Sequence, residues 1–314
     1  MRRREFLKTS AAVGFAAAIP SASGWLARIS GPGTQTPHGV KTADHPVQPL
    51  KAPATGPINV AFLVSEGAVL IDFAGPWEVF QDVMVPSRGT SMEDQMPFNL
   101  YTVSADTKPI RISGGLQIVP DYAFADAPAP KVIVIPAQKG SADHEAWVRT
   151  AAKSTDVTMS VCTGAFLLAR TGLLSGKSAT THHSSYRTLA MQFPDVRVKR
   201  GVRFVDEGSV ASAGGLSSGM DLALHVVERY FGRDVATETA YQMEYQGPGW
   251  LNPTSNAVYL QARKADGHSY CPVCDMEVDP ATAPKSAFKG KNYFFCSGAH
   301  KEMFDSAPEK WLEP

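Results

Sequence analysis

Three apolar runs constrain this chain more than any other feature: "INVAFLV" at 58–64, "KVIVIP" at 131–136 and "VTMSV" at 157–161. The first two lack the apolar-polar alternation of a strand with one wet face, and the third, broken only by Thr158 and Ser160, is read with them as a strand buried on both sides. Helical patterns separate and follow them, at 73–82, 144–153, 165–174, 185–193 and 218–231. Such alternation predicts an α/β fold, a three-layer sandwich whose mostly parallel sheet is covered by helices on both faces.

This α/β domain is expected over 58–246. Residues 25–57 are rich in proline and glycine with no sustained period, and read as a flexible linker. A second Gly/Pro-rich break opens a linker over 247–267, and 268–314 is a small, aromatic, cysteine-bearing piece. A piece so short buries little core of its own, and a bound metal would supply the missing stability. The first 24 residues, "MRRREFLKTSAAVGFAAAIPSASG", put Arg3-Arg4-Glu5-Phe6-Leu7-Lys8 before a short apolar run that ends in small residues. That is the pattern of a twin-arginine signal peptide, which places the mature protein in the periplasm or outside the cell. The run is short for a bilayer span, and no later stretch reaches the length of a membrane helix. Lys+Arg and Asp+Glu each number 30, so no basic field points to nucleic acid or an anionic membrane. A small-molecule substrate or ligand and a metal ion are the expected partners.

The run "VTMSV" leads straight into "CTGAFLLARTGLL", which places Cys162 at a sharp strand-to-helix turn. Unpaired N–H groups and the helix dipole favour a thiolate there. Gly164 allows the close backbone approach that such a turn needs. A lone cysteine can also be a small buried hydrophobe, so both readings stand at this point.

Three ordered blocks surround that turn: "LIDFAGPWEVF", "SVCTGAFLLARTGLLSGKSATTHH" and "VASAGGLSSGMDLALHVVERYFG". Together they resemble the DJ-1/PfpI superfamily from Ile58 to about Tyr245, most of all its isonitrile hydratase-like branch. They are also similar to the amidotransferase-like ligand domain of some AraC-type regulators. The resemblance implies a flavodoxin-like sandwich with Cys162 as the nucleophile of the elbow, no cofactor in that domain, and a homodimer. It puts Asp72 beside the thiol, where a carboxyl group kept protonated by burial or by the thiolate's charge can donate a proton. Capping the following helix is the other role open to Asp72. Thr163 stands where other branches carry histidine; its hydroxyl would hold water or substrate, unless it only starts the helix. His182 matches a histidine found near the cysteine in some members, as a base or orienting group at the end of the next strand. His183 is the alternative inward residue, and either could cap the next helix. Gly75, Ala137 and Gly164 are expected along the substrate pocket. The superfamily's usual Pro-Gly-Gly is replaced by Pro136-Ala137-Gln138, an altered oxyanion loop in which Ala137 can still offer its N–H while Gln138 either adds a polar contact or obstructs the pocket.

In the tail, Cys271 and Cys274 form a C-x2-C knuckle, and Cys296 and His300 lie four residues apart, on one face of an opening helical turn. Three thiolates and an imidazole suit zinc, and soft donors in an exported protein also suit copper(I). A redox disulfide between Cys271 and Cys274 is the competing reading, but it gives Cys296 and His300 nothing to do. Through "PVCDMEVDP", "FKGKNYFFCS" and "FDSAPEKWL" the tail resembles the YHS domain. Cys271 stands where that family often has aspartate, and His300 where it usually has a second cysteine.

Taken together, these features predict an exported isonitrile hydratase-like enzyme with a metal-binding tail. Cys162 would attack an electrophilic carbon while Asp72 manages protons. A noncatalytic periplasmic metal-binding or stress-sensing protein is the alternative. Glutamine amidotransfer is set aside because no His-x-Glu pair follows the last helices, and transcriptional regulation because no helix-turn-helix follows the α/β domain.

Overall fold

The computed structural model describes residues 48–261, 267–274 and 276–312; the expected signal peptide and most of the first linker lie outside them. The strands of the central sheet are β1 (Ile58–Leu63), β2 (Phe98–Ser104), β3 (Tyr122–Ala123), β4 (Val132–Ile135), β5 (Val157–Val161), β6 (Phe204–Asp206) and β7 (Val210–Ala213). They lie in the order β6-β7-β5-β4-β1-β2-β3, and every neighbouring pair is parallel except β6 and β7. This is the mostly parallel α/β architecture that the alternating strands and helices predict, in the flavodoxin-like form that the family resemblance implies.

The first two runs are continuous because β1 and β4 each feed two cores. In β1, Ile58, Val60 and Phe62 enter one core while Ala61 and Leu63 enter the other. In β4, Val132 and Val134 divide from Ile133 and Ile135 in the same way. Three helices cover the first core: α1 (Leu70–Gln81), α5 (Ser218–Phe231) and α6 (Arg233–Gln242), which add residues such as Phe73, Phe80, Leu222, Val226 and Ala236. The second core lies under α2 (Ala142–Ala151), α3 (Gly164–Arg170) and α4 (Tyr186–Gln192), which contribute Val148, Leu167, Leu168 and Leu189. Each fully buried aliphatic or Phe side chain stabilises the fold by about 1.5–3 kcal/mol.

Two segments are held more firmly than their composition suggests. The last residues of the expected first linker lie along the domain: Leu50 N–H donates to the Arg229 carbonyl at 2.7 Å, and Arg88 donates to the carbonyls of Pro53 and Gly56. The beginning of the expected second linker is likewise part of the α/β domain. Trp250 is buried in the first core, Arg203 N–H donates to the Pro253 carbonyl, and Asn256 is buried against Arg203 and Val202. Gly and Pro there make turns within a packed surface, and the aromatic anchor decides the outcome.

The tail contains the short pair β8 (Ser269–Tyr270) and β9 (Glu277–Val278), the hairpin β10 (Lys285–Phe288) and β11 (Lys291–Phe294), then α7 (Gly298–Ser306) and α8 (Pro308–Leu312). The hairpin turns through Lys289 and Gly290, both left-handed at φ 47° and 76°, as a tight hairpin turn requires. Val273, Phe295, Phe304 and Trp311 form its core, and that cluster also takes in Ala190 of α4. Among the described residues no helix is long and apolar enough to cross a membrane.

Candidate active site and metal centre

Cys162 follows β5 directly and adopts a left-handed backbone, φ 58°, which a non-glycine residue adopts at a strain of about 1–3 kcal/mol. The strain is held from several sides. Its N–H donates to the Gly214 carbonyl at 2.9 Å, and its carbonyl accepts the Thr181 hydroxyl at 2.9 Å. The next turn fits only because residue 164 is glycine: a Cβ there would stand 2.2 Å from the Ile135 carbonyl oxygen. Gly164 thus seats the elbow against the end of β4.

Asp72 belongs to the first turn of α1 but does not cap it. Val69 holds the cap position, and the Leu70 N–H is satisfied by the Ser113 hydroxyl at 2.9 Å. Asp72 is fully buried, and its Oδ2 accepts the Ala137 N–H at 3.0 Å. Ala137 therefore directs its N–H at the carboxylate, which corrects the expectation that it serves an oxyanion directly. Gln138 is likewise turned away, its Nε2 donating to the Leu63 carbonyl at 2.8 Å. Among the described residues, Oδ1 of Asp72 has no hydrogen-bond partner.

Burial raises the Asp72 carboxyl to about 6, against the pull of the Ala137 N–H and the Cys162 thiol. Burial, then the charge of Asp72, pushes the Cys162 thiol up to about 11. The Thr163 and Leu216 N–H groups and the Thr163 hydroxyl aim at the sulfur and favour the thiolate, but they are outweighed. A lowered thiol pKa, expected from the helix N-terminus, is thus reversed by an 8% exposed site beside a carboxylate. Between about 6 and about 11 the pair carries one proton and one negative charge.

Thr163 is the residue before α3, and its hydroxyl turns to the cysteine rather than capping the helix. Gly75 lies where α1 meets α5; a Cβ there would stand 2.9 Å from Met220 Cγ. His182 starts the short 183–185 turn, with Nδ1 paired to the Ser184 hydroxyl at 2.8 Å. Its ring packs on Gly215, so that a Cβ on Gly215 would stand 2.4 Å from it. His182 thus braces the loop beside the elbow. His183 stacks on Tyr259, ring centroids 4.8 Å apart.

Sequence reasoning missed the loop Gly214-Gly215-Leu216 and what holds it. Leu216 is left-handed, φ 45°, and its N–H is directed at the sulfur. Arg203 binds the fully buried Asp221 through Nε and Nη2, and reaches Ser217 Oγ at 3.1 Å and Asn256 Oδ1 at 3.2 Å. Its own carbonyl accepts the Gly214 N–H at 2.8 Å. The doubled glycine was the available signal; an arginine between two short strands gave none.

The family model for the DJ-1/PfpI family matches residues 58–229. The chain belongs to the DJ-1/PfpI family. Isonitrile hydratase from Pseudomonas putida is 31% identical over 218 residues, covering 66% of this chain and 89% of that protein. A helix-turn-helix transcriptional regulator from Pseudomonas aeruginosa is 26% identical over 195 residues, covering 60% of this chain; the chain spans 51% of the regulator's length. The crystal structure of a ThiJ/PfpI family protein from Pseudomonas syringae superposes with a TM-score of 0.54 at 23% identity, covering 68% of this chain and 83% of that one. That likeness shows the fold.

The YHS domain model matches residues 271–314. In this DJ-1/PfpI protein, the ligand atoms of Cys271, Cys274, Cys296 and His300 all lie within 4.8 Å of one another. Sγ of Cys296 is 3.0 Å from His300 Nδ1 and 3.5 Å from Cys274 Sγ, and Cys271 Sγ is 3.7 Å from the same nitrogen. Ligand-to-ligand edges of about 3.3–3.8 Å are what tetrahedral zinc requires, so the residues fit a metal. Ser297 caps α7 by accepting the His300 N–H at 3.2 Å, and so fixes the turn that presents the imidazole. All four cysteines are free thiols, and the knuckle is not a disulfide. Four protein donors are the number that a closed zinc site uses.

Proposed function

We propose that this DJ-1/PfpI protein is an exported cysteine enzyme of isonitrile hydratase type, carrying a metal-binding YHS tail. One observation carries the proposal: a strained, N–H-cradled cysteine beside a buried carboxyl of raised pKa, the two sharing one proton. The 31% identity to isonitrile hydratase supports this choice of substrate class. Export rests on the paired arginines of residues 1–24.

An isonitrile carbon must receive both a nucleophile and a proton. Asp72 takes the Cys162 proton as Sγ bonds to that carbon, then delivers the proton to the same carbon, which gives an N-substituted thioimidate. Water adds across the C=N bond, placing hydroxyl on carbon and hydrogen on nitrogen. The tetrahedral carbon then expels Sγ, the hydroxyl proton returns to the Asp72–Cys162 pair, and an N-substituted formamide leaves. The Thr163 and Leu216 N–H groups stabilise the sulfur whenever it is anionic, and the Thr163 hydroxyl beside the sulfur would hold the water. The tail would hold zinc or copper(I) through Cys271, Cys274, Cys296 and His300; either ion would supply structural cross-linking.

The test is proton NMR of the mature protein with a simple alkyl isonitrile. Formation of the N-alkyl formamide, lost in Cys162→Ser, is the expected result; absence of formamide from protein with intact Cys162 contradicts it. A second reading, a ligand-sensing protein without turnover, draws on the burial of Cys162 and its raised thiol pKa. Saturable isonitrile binding without product would favour it. The homodimer implied by family resemblance is checked by light scattering on the same sample.

A further inference from the structure

The helix α4 belongs to two bodies at once. Leu189 faces the second core of the α/β domain, and Tyr186 is buried with its hydroxyl accepting the Gly201 N–H at 3.2 Å. Ala190 joins neither core of the sheet. It is 6% exposed because it lies in the tail's cluster with Cys271, Val273, Phe295, Phe304 and Trp311. Met191 and Val198 pack onto the same cluster, as do Cys274 and Cys296. A polar contact fixes the orientation: Arg187 Nη1 donates to the Trp311 carbonyl at 2.7 Å. Three of the four ligands thus sit in a cluster that the α/β domain helps to close.

We infer that the α4 face bearing Arg187, Ala190 and Met191 is a docking surface for the metal-loaded tail, so that metal affinity is a property of both domains. Val273 lies inside the Cys271–Cys274 knuckle and is fully buried. The knuckle meets Cys296 and His300, more than twenty residues away, through the ligand cluster. Closing that gap with a metal builds the surface that α4 covers, and a site absent from the unfolded tail turns binding energy into folding energy. The α/β side offers one alanine, one methionine and one valine, too little apolar area to hold an unfolded tail. Docking and metal binding therefore favour each other by the same factor.

Hydrogen exchange followed by mass spectrometry on the mature chain, zinc-loaded against chelator-treated, tests this without any variant. Zinc should raise protection in 186–192 as well as in the tail; protection that rises in the tail alone overturns the inference. A zinc competition titration gives a second readout, independent of isonitrile turnover. Ala190→Glu should weaken zinc binding about tenfold, the scale of losing an outer-shell support, and Arg187→Ala by less. Unchanged zinc affinity in an Ala190→Glu chain whose α/β domain melts like the parent would also overturn it.

Discussion

Asp72 and Cys162 work against each other as charges and together as a proton pair. Because the Asp72 charge raises the thiol, Asp72→Asn should lower the thiol pKa and speed alkylation of Cys162 at neutral pH, while abolishing any isonitrile turnover. Iodoacetamide kinetics and the formamide assay on one variant would show the two effects in opposite directions. The same carboxyl makes stability depend on pH. Its folded value near 6 exceeds the ordinary 3.8, so its stabilising contribution is complete below about 3.8 and is lost as pH rises through about 6. Urea midpoints of the parent should fall relative to Asp72→Asn across that window. Gly164→Ala would drive a Cβ into backbone at 2.2 Å and should cost about 2–4 kcal/mol in the same urea experiment. The position of Cys162 is legible in the sequence because a strand signal ends where a helix signal begins. Its titration is not, because burial and the facing carboxylate arise from α1, ninety residues earlier.

At the scale of elements, the Arg203–Asp221 pair ties the beginning of the expected second linker, α5 and the Gly214–Ser217 loop into one support for the elbow. Removing one partner of a buried pair leaves the other charge uncompensated, so Arg203→Ala should destabilise the α/β domain by about 3–5 kcal/mol. It should also move Cys162 alkylation to higher pH, because the Leu216 N–H loses its support; Arg203→Lys should restore part of both. The strands were readable because their apolar runs have only one use, in a sheet covered on both faces. The segment at 247–257 reads as a linker in sequence because of its Gly and Pro residues, whereas Trp250 and Asn256 decide its placement. Hydrogen bonds between residues eighteen to fifty-three positions apart leave no period to detect.

For the molecule as a whole, the tail and the α/β domain differ in what holds them. The larger domain has two cores of its own; the tail has one small cluster and a four-ligand site. Chelation followed by limited proteolysis should expose sites beyond residue 267 and leave 58–257 resistant, with Trp250 inside the resistant fragment. A tail equally resistant with and without chelator would contradict a structural metal. The tail's knuckle and Cys-His pair were legible from spacing alone; its seat on α4 was not, since a single buried alanine has no sequence signature. In the proposed reaction Cys162 forms a covalent bond with an isonitrile carbon while Asp72 moves the proton. Peptide mapping by mass spectrometry of protein quenched during turnover tests this most directly. An adduct equal to the mass of the isonitrile is expected on the peptide containing Cys162, absent in Cys162→Ser. Formamide production with no adduct at Cys162, or undiminished in Cys162→Ser, would contradict it.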